Sequence, residues 1–164
     1  MAPLSEAQRG IVSTIREFVR RDVNPVAQQM EHDDEYPFEL VERMKELGLF
    51  GAIIPEEYGG LALDVSTYAL AIEEICRGWM SLSGILNSHL IMAYLVTTHG
   101  TKEQKEHYLP LMATGEKRGG ICITEPNAGS DVQAIETRAV REGDEYVVNG
   151  SKSLITNGRH GNTF

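Results

Sequence analysis

The sequence predicts an α+β chain: an N-terminal all-helical bundle followed by the first strands of an antiparallel β-domain. Three observations carry this. Apolar residues recur at three- and four-residue spacing, bracketed by capping residues, through the first two-thirds of the chain. At Gly119-Gly120 the period changes, and short apolar runs alternate with turn residues from there on. Helices come first and strands second, the order of α+β chains rather than of a βαβ repeat. The boundary gives a helical domain over residues 1–118 and the beginning of a β-domain over residues 119–164.

The first helix opens at a capping box, Ser5 with Gln8, and sets Ile11, Ile15, Phe18 and Val19 on one face. Arg16, Glu17, Arg20, Arg21 and Asp22 take the other side, and Pro25 and the run Glu31-His32-Asp33-Asp34-Glu35 are expected to bend or end the helix. That run reads as a solvated connection, because adjacent acidic side chains do not converge on a metal without a turn motif; no metal site is expected. Pro37 suits the first position of a second helix carrying Leu40, Val41, Met44 and Leu47, closed by Gly48 with Leu49 as its apolar contact. The stretch Phe50 to Gly60 is apolar first and turn-rich afterwards, so it lines a core before emerging. Asp64 caps a third helix with Tyr68, Ala71, Ile72 and Ile75 on one face, ending at Gly78.

A fourth helix, Leu82 to Thr98, is apolar almost all round, the pattern of a helix at the centre of a bundle. His89 within it reads as a hydrogen-bonded core histidine, with a pocket-lining role as the alternative. Thr101 and Gln104 form a second capping box for a helix over Lys102 to Thr114, which Pro110 should kink. Beyond Gly120, Ile121 to Thr124 suits a buried strand. Ile135 to Arg141 and Glu145 to Val148 suit strands joined by a turn at Glu142-Gly143-Asp144, and Ser151 to Thr156 suits a further strand after a type I′ hairpin at Asn149-Gly150. Period-two alternation sets Lys152, Leu154 and Thr156 on one face and Ile155 on the other. So few strands leave open edges, and truncation is the expected reason.

The chain of 164 residues, 41% hydrophobic and 24% charged, is ordinary globular material. A formal net charge of −9 offers no basic stripe, which argues against a nucleic-acid partner. Cys76 and Cys122 form no CxxC pair and read as buried reduced thiols of a cytoplasmic protein. The N-terminus, Met1 to Glu6, lacks the basic and apolar regions of a signal peptide, and the apolar span Gly84 to Val96 is too short for a membrane helix.

The most informative stretch is Ile121 to Asp131, a short apolar run that breaks at Glu125-Pro126 into Asn127, Ala128, Gly129 and Ser130. Small residues there supply free backbone N–H groups and hydroxyls, so the surface suits a flat ring system and a phosphate at once. A plain strand with a capped turn is the alternative.

Thr124-Glu125-Pro126-Asn127-Ala128-Gly129-Ser130-Asp131 resembles the TEPxAGSD signature of the acyl-CoA dehydrogenases. Asn149-Gly150-Ser151-Lys152 with Ile155-Thr156-Asn157 resembles their NGxKxxITN segment. Gly48 to Gly60, and Gln104-Lys105 with Tyr108-Leu109-Pro110, are similar to segments upstream. The resemblance runs over nearly the whole chain, and motifs in this order are far more specific than any one of them.

The resemblance implies a helical domain, a middle β-domain and a C-terminal helical domain with FAD between them. By that match Ile121, Ile123 and Thr124 touch the isoalloxazine region, Gly129 and Ser130 lie near the pyrophosphate, and Ser130 also nears the thioester substrate. Leu154, Ile155 and Thr156 contact the ring, Thr156 through its hydroxyl. The acyl pocket is lined around Leu86, Asn87, Leu90 and Ile91. The implied reaction is α,β-desaturation of an acyl-CoA, with electrons passed to an electron-transfer flavoprotein and a homotetrameric assembly.

Two departures stand out: Leu154 replaces an aromatic residue common in the family, and the family's catalytic glutamate lies beyond residue 164, so no catalytic residue is assigned here. Glu125 is the tempting substitute, but the resemblance places it in the loop framework. The alternatives are a flavin monooxygenase or acyl-CoA oxidase of the same fold, or a non-catalytic fragment that binds a partner through its open sheet.

Overall fold

A computed structural model describes residues 4–164; Met1 to Pro3, which enter the reading of the N-terminus, lie outside the described residues. The helices are α1 (Glu6–Phe18), α2 (Asn24–His32), α3 (Phe38–Glu46), α4 (Val65–Gly78), α5 (Met80–His99) and α6 (Lys102–Ala113), and the strands are β1 (Arg138–Glu142) and β2 (Glu145–Asn149).

Local chemistry sets most helix ends. Both capping boxes form: Gln8 N–H donates to Ser5 Oγ at 3.2 Å and Gln104 N–H to Thr101 Oγ1 at 3.2 Å, each returned by the glutamine side chain. Asp64 Oδ1 accepts from the N–H groups of Ser66 and Thr67. Gly48 leaves α3 at φ 72°, the left-handed turn that favours glycine, and Leu49 behind it is buried. Pro37 stands one residue earlier than expected, at the cap of α3 rather than inside it.

Pro25 does not end the first helix. The chain passes from α1 to α2 through a π turn, Val19–Val23, with the Asn24 N–H bonded to the Val19 carbonyl. The reason is visible in the buried stripe Ile15, Val19, Val23 and Ala27. Residues four apart drift by about 40° per step on a regular α-helix, and one wider turn takes back part of that drift. The same turn relaxes the ladder where the proline offers no N–H.

These helices bury a core that runs from Ile15 and Phe18 through Val41, Met44 and Phe50 to Ile75, Leu82, Leu86 and Leu90. A smaller cluster joins Ile54 and Ala93 to Leu109, Met112 and Ala113. Between α3 and α4 the chain doubles back so closely that a Cβ on Gly60 would overlap the Ile54 carbonyl.

Helix α5 is 20 residues long and is, among the described residues, the one helix long and apolar enough to cross a membrane by length and composition. Its inner face is nonetheless a core face, with Leu82, Leu86, His89, Leu90 and Ala93 buried. Its outer face leaves Met80, Ile91, Tyr94 and Leu95 exposed, so it lies at the bundle's edge rather than its centre. Cys76, expected to be buried, is exposed: it falls on α4 off the stripe Thr67, Ala71, Glu74 and Ile75.

The sheet is smaller than the sequence predicts. Strands β1 and β2 pair antiparallel with Glu142 opposite Glu145, so the hairpin turns at Gly143-Asp144 within the turn expected at 142–144, whereas the second hairpin expected at Asn149-Gly150 does not form. Residues 121–124 and 151–156 form no ladder; the nearby pairings are single bridges, Gly119 with Thr163 and Glu125 with Ala128. A side chain on Gly150 would collide with Thr137, the residue before β1, so the chain passes close to it there.

The two faces of α5 give a direct test. Leu90→Ala, at 1% exposure, should cost about 3 kcal/mol in urea denaturation, whereas Leu95→Ala, at 44% exposure, should cost less than about 1 kcal/mol.

Candidate functional site

The two motif segments are brought side by side. Ser153 N–H donates to the Thr124 carbonyl at 2.9 Å, and Lys152 Nζ donates to the Ile123 carbonyl at 3.1 Å. Lys152 Nζ also meets Glu125 Oε1 at 2.8 Å, with the Glu125 side chain 6% exposed. The Glu125 carboxylate further accepts from Glu136 N–H at 2.8 Å, from Thr137 N–H at 3.0 Å and from the Thr137 hydroxyl. Lys152, then the Thr137 hydroxyl and the backbone donors, hold this carboxyl far below its usual range, at about 2. Glu125 is thus a clamp between the turn at 125–128, the start of β1 and the segment after β2.

The residues singled out from the sequence divide by exposure. Ile123 at 46%, Leu154 at 93%, Gly129, Ser130 and Thr156 face solvent, and Thr124 is half-buried. Ile121 lines a cavity of about 610 Å³ between Met92, Val96, Tyr108 and Phe164. Ile155 lines another of about 470 Å³ with Met30, Tyr36, Trp79 and Ile85. The strand alternation expected at 152–156 does not arise as such, because Leu154 sits at φ 56°. Its exposure is nevertheless shared by Thr156 and not by Ile155.

Around the expected acyl pocket the four residues separate. Leu86 and Leu90, each 1% exposed, belong to the core, while Asn87 and Ile91 lie on the outer face of α5. Asn87 Oδ1 accepts from the Tyr68 hydroxyl. All-round apolarity hid which face of the helix was buried, so the sequence could not make this division.

Two buried side chains anchor this region: His89, the hydrogen-bonded core histidine expected from the sequence, and Asn157, which sequence reasoning did not single out as an anchor. His89 is fully buried; its Nε2 contacts the Phe50 carbonyl at 3.0 Å, and its Nδ1 accepts from Gly119 N–H at 3.1 Å. The carbonyl partner requires a proton on Nε2 and the amide partner a lone pair on Nδ1, so the imidazole is neutral. Burial depresses its pKa from 6.5 to about 4. Asn157 is buried at φ 65°, and its Nδ2 donates to the carbonyls of Ile85 at 3.0 Å and Gly119 at 2.9 Å. An asparagine following Ile-Thr was the available signal, since asparagine is among the few residues that tolerate the left-handed region.

The donor set suits a flavin dinucleotide. Exposed small residues at 129–130 offer backbone N–H groups and a hydroxyl for phosphate, while Ile123, Leu154 and Thr156 offer an apolar surface beside a hydroxyl for a ring.

Residues 5–116 match the family of the acyl-CoA dehydrogenase N-terminal domain, and residues 120–164 match that of the acyl-CoA dehydrogenase middle domain. The chain is 42% identical, over 98% of its length, to the short-chain-specific acyl-CoA dehydrogenase of Clostridium acetobutylicum, of which it covers 43%. It superposes with a TM-score of 0.92 on a chain from the structure of the electron-transferring flavoprotein of Acidaminococcus fermentans, at 36% identity over 98% of this chain and 43% of that one. Against the FAD complex of an acyl-CoA dehydrogenase from Bacillus anthracis the TM-score is 0.83, at 37% identity over 94% of this chain and 27% of that one. The chain therefore spans under half the length of these relatives.

Two groups make the fold sensitive to acid in the same direction. His89, neutral in the fold, contributes fully above pH 6.5, and its contribution of about 3 kcal/mol is lost as pH falls from 6.5 through about 4. Glu125 contributes fully above 4.5, and its contribution is lost as pH falls from there toward about 2. Unfolding free energy measured from pH 8 down to pH 4 should fall with a slope that His89→Gln flattens; an unchanged slope in that variant contradicts the assignment.

Proposed function

The chain belongs to the acyl-CoA dehydrogenase family, and on that premise we propose that it forms one wall of an FAD site in an enzyme that desaturates acyl-CoA thioesters between the α and β carbons. The observation that carries the reading is the juxtaposition of the segments 123–125 and 152–154, clamped by Lys152 and Glu125. The Bacillus anthracis relative, solved with FAD, supports the choice of cofactor. The Clostridium acetobutylicum relative supports the substrate class.

In this reading Ile121, Ile123, Thr124, Leu154, Ile155 and Thr156 hold the ring system, and Gly129 and Ser130 hold the pyrophosphate. Bound there, FAD supplies the acceptor for the hydride that leaves the β carbon. The chain's own residues position and exclude. Asn87 and Ile91 on the outer face of α5 meet the acyl chain, and Ser130 lies within reach of the thioester.

Removal of the α proton needs a base with a pKa near the working pH. Glu125 does not meet that need, because Lys152 and Thr137 keep it ionised down to about pH 2 and occupy its oxygens. The base we assign to the part of the enzyme beyond residue 164. Electron transfer to a separate electron-transfer flavoprotein completes the turnover, a reading that the Acidaminococcus fermentans structure supports. The exposed faces of β1 and β2 and of α5 are the surfaces we assign to the remaining domains and to a homotetrameric assembly.

The test is to purify the native protein that carries this sequence, determine its flavin content and titrate it anaerobically with acyl-CoAs of increasing length. Stoichiometric FAD whose visible absorbance bleaches with formation of the enoyl-CoA is expected; flavin that no acyl-CoA bleaches contradicts the reading. Ser130→Ala should raise the Kd for FAD roughly tenfold, the loss of one hydrogen bond to a charged group.

A further inference from the structure

Gly119 is where the helical domain hands over to the β segment, and it is buried. Its pairing with Thr163 consists of a bridge in which Gly120 N–H donates to the Thr163 carbonyl at 3.0 Å. That bridge leaves the N–H and the C=O of Gly119 itself without ladder partners, and buried backbone groups need partners. Two side chains supply them. His89 Nδ1 accepts the Gly119 N–H at 3.1 Å, and Asn157 Nδ2 donates to the Gly119 carbonyl at 2.9 Å.

Both grips return to one turn of α5. His89 belongs to that turn, and Asn157 Nδ2 also donates to the Ile85 carbonyl at 3.0 Å, four residues before His89. The segment 119–124 and the segment ending at Asn157 are thus fastened to the same helical turn. Gly119 and Gly120 let them approach, because a Cβ on Gly119 would lie 2.7 Å from Met92 Sδ and one on Gly120 would lie 2.8 Å from the Thr156 carbonyl. Asn87, on the outer face of that turn, is the residue assigned above to the acyl chain.

Resting on the FAD reading above, we infer that His89 and Asn157 are positioning residues that set the spacing of the two flavin-holding segments through the N–H and C=O of Gly119. They touch neither cofactor nor substrate. His89 has two separable contacts: the acceptor at Nδ1 holds the β segment, whereas the donor at Nε2 holds Phe50 inside the helical bundle. The positioning role belongs to the first contact alone.

Asparagine and glutamine separate these contacts. His89→Asn places an amide oxygen where Nδ1 stood and keeps the grip on Gly119. His89→Gln places an amide nitrogen where Nε2 stood and keeps the grip on Phe50. In the native protein that carries this sequence, FAD affinity is read by quenching of flavin fluorescence, and amide exchange of residues 119–124 is read without cofactor. His89→Gln is expected to weaken FAD binding about tenfold and to speed exchange across 119–124, while His89→Asn leaves both near wild type. Asn157→Gly, which keeps the left-handed backbone and removes the amide, should behave like His89→Gln. Equal effects of asparagine and glutamine at position 89 on both readouts would show a merely structural histidine and overturn the inference. A wild-type protein that takes up no FAD sinks the functional reading alone, because the exchange comparison still stands.

Discussion

A β segment that leaves a helical bundle without a full ladder must satisfy its buried peptide groups some other way. In this chain the requirement falls on Gly119, whose N–H is taken by His89 and whose carbonyl is met by Asn157. Everything after it depends on that arrangement. The extended run 120–124, the turn at Glu125 and the returning segment at 153–157 have little apolar burial of their own, and β1 and β2 are exposed along their whole length. The neighbouring contacts work to the same end. Arg118 donates to the His160 carbonyl at 2.7 Å and to the Tyr36 hydroxyl at 3.3 Å, and Tyr36 stacks on His160 with ring centroids 3.9 Å apart.

The division of labour between ionisable groups follows from the same geometry. His89 is kept neutral by burial, so it can accept from one backbone group and donate to another. Glu125 is kept charged by Lys152 and by donors from the start of β1, so it fastens three stretches of chain and is unfit to take a proton from carbon. The surface that remains free is small, hydroxylated and partly apolar: Ile123, Gly129, Ser130, Leu154 and Thr156. A rigid scaffold of buried polar contacts beneath an uncommitted surface is what a cofactor site needs.

What was legible in the sequence was what local chemistry decides. Ser5 with Gln8, Thr101 with Gln104, Asp64 and Gly48 end helices through groups only a few residues away, and the structure repeats each of them. Features that depend on distant partners were not legible. Ile121 to Thr124 has strand composition but no neighbouring strand to pair with here, and Asn149-Gly150 has hairpin composition but no strand follows it at 151–156. The π turn that carries the first helix through Pro25 answers to the stripe Ile15, Val19, Val23 and Ala27 as well as to the proline's missing N–H. On α5 the uniform apolarity concealed that Leu86 and Leu90 face the core while Asn87 and Ile91 face outward. The motifs singled out the two segments, and tertiary contacts set which of their residues are exposed.

The most direct test of the account is the footprint of FAD on the native protein, read by amide hydrogen exchange with and without the cofactor. The account requires new protection at residues 121–130 and 153–156, with the outer surface of α1 and α3 unchanged. Protection that leaves both segments untouched would contradict it.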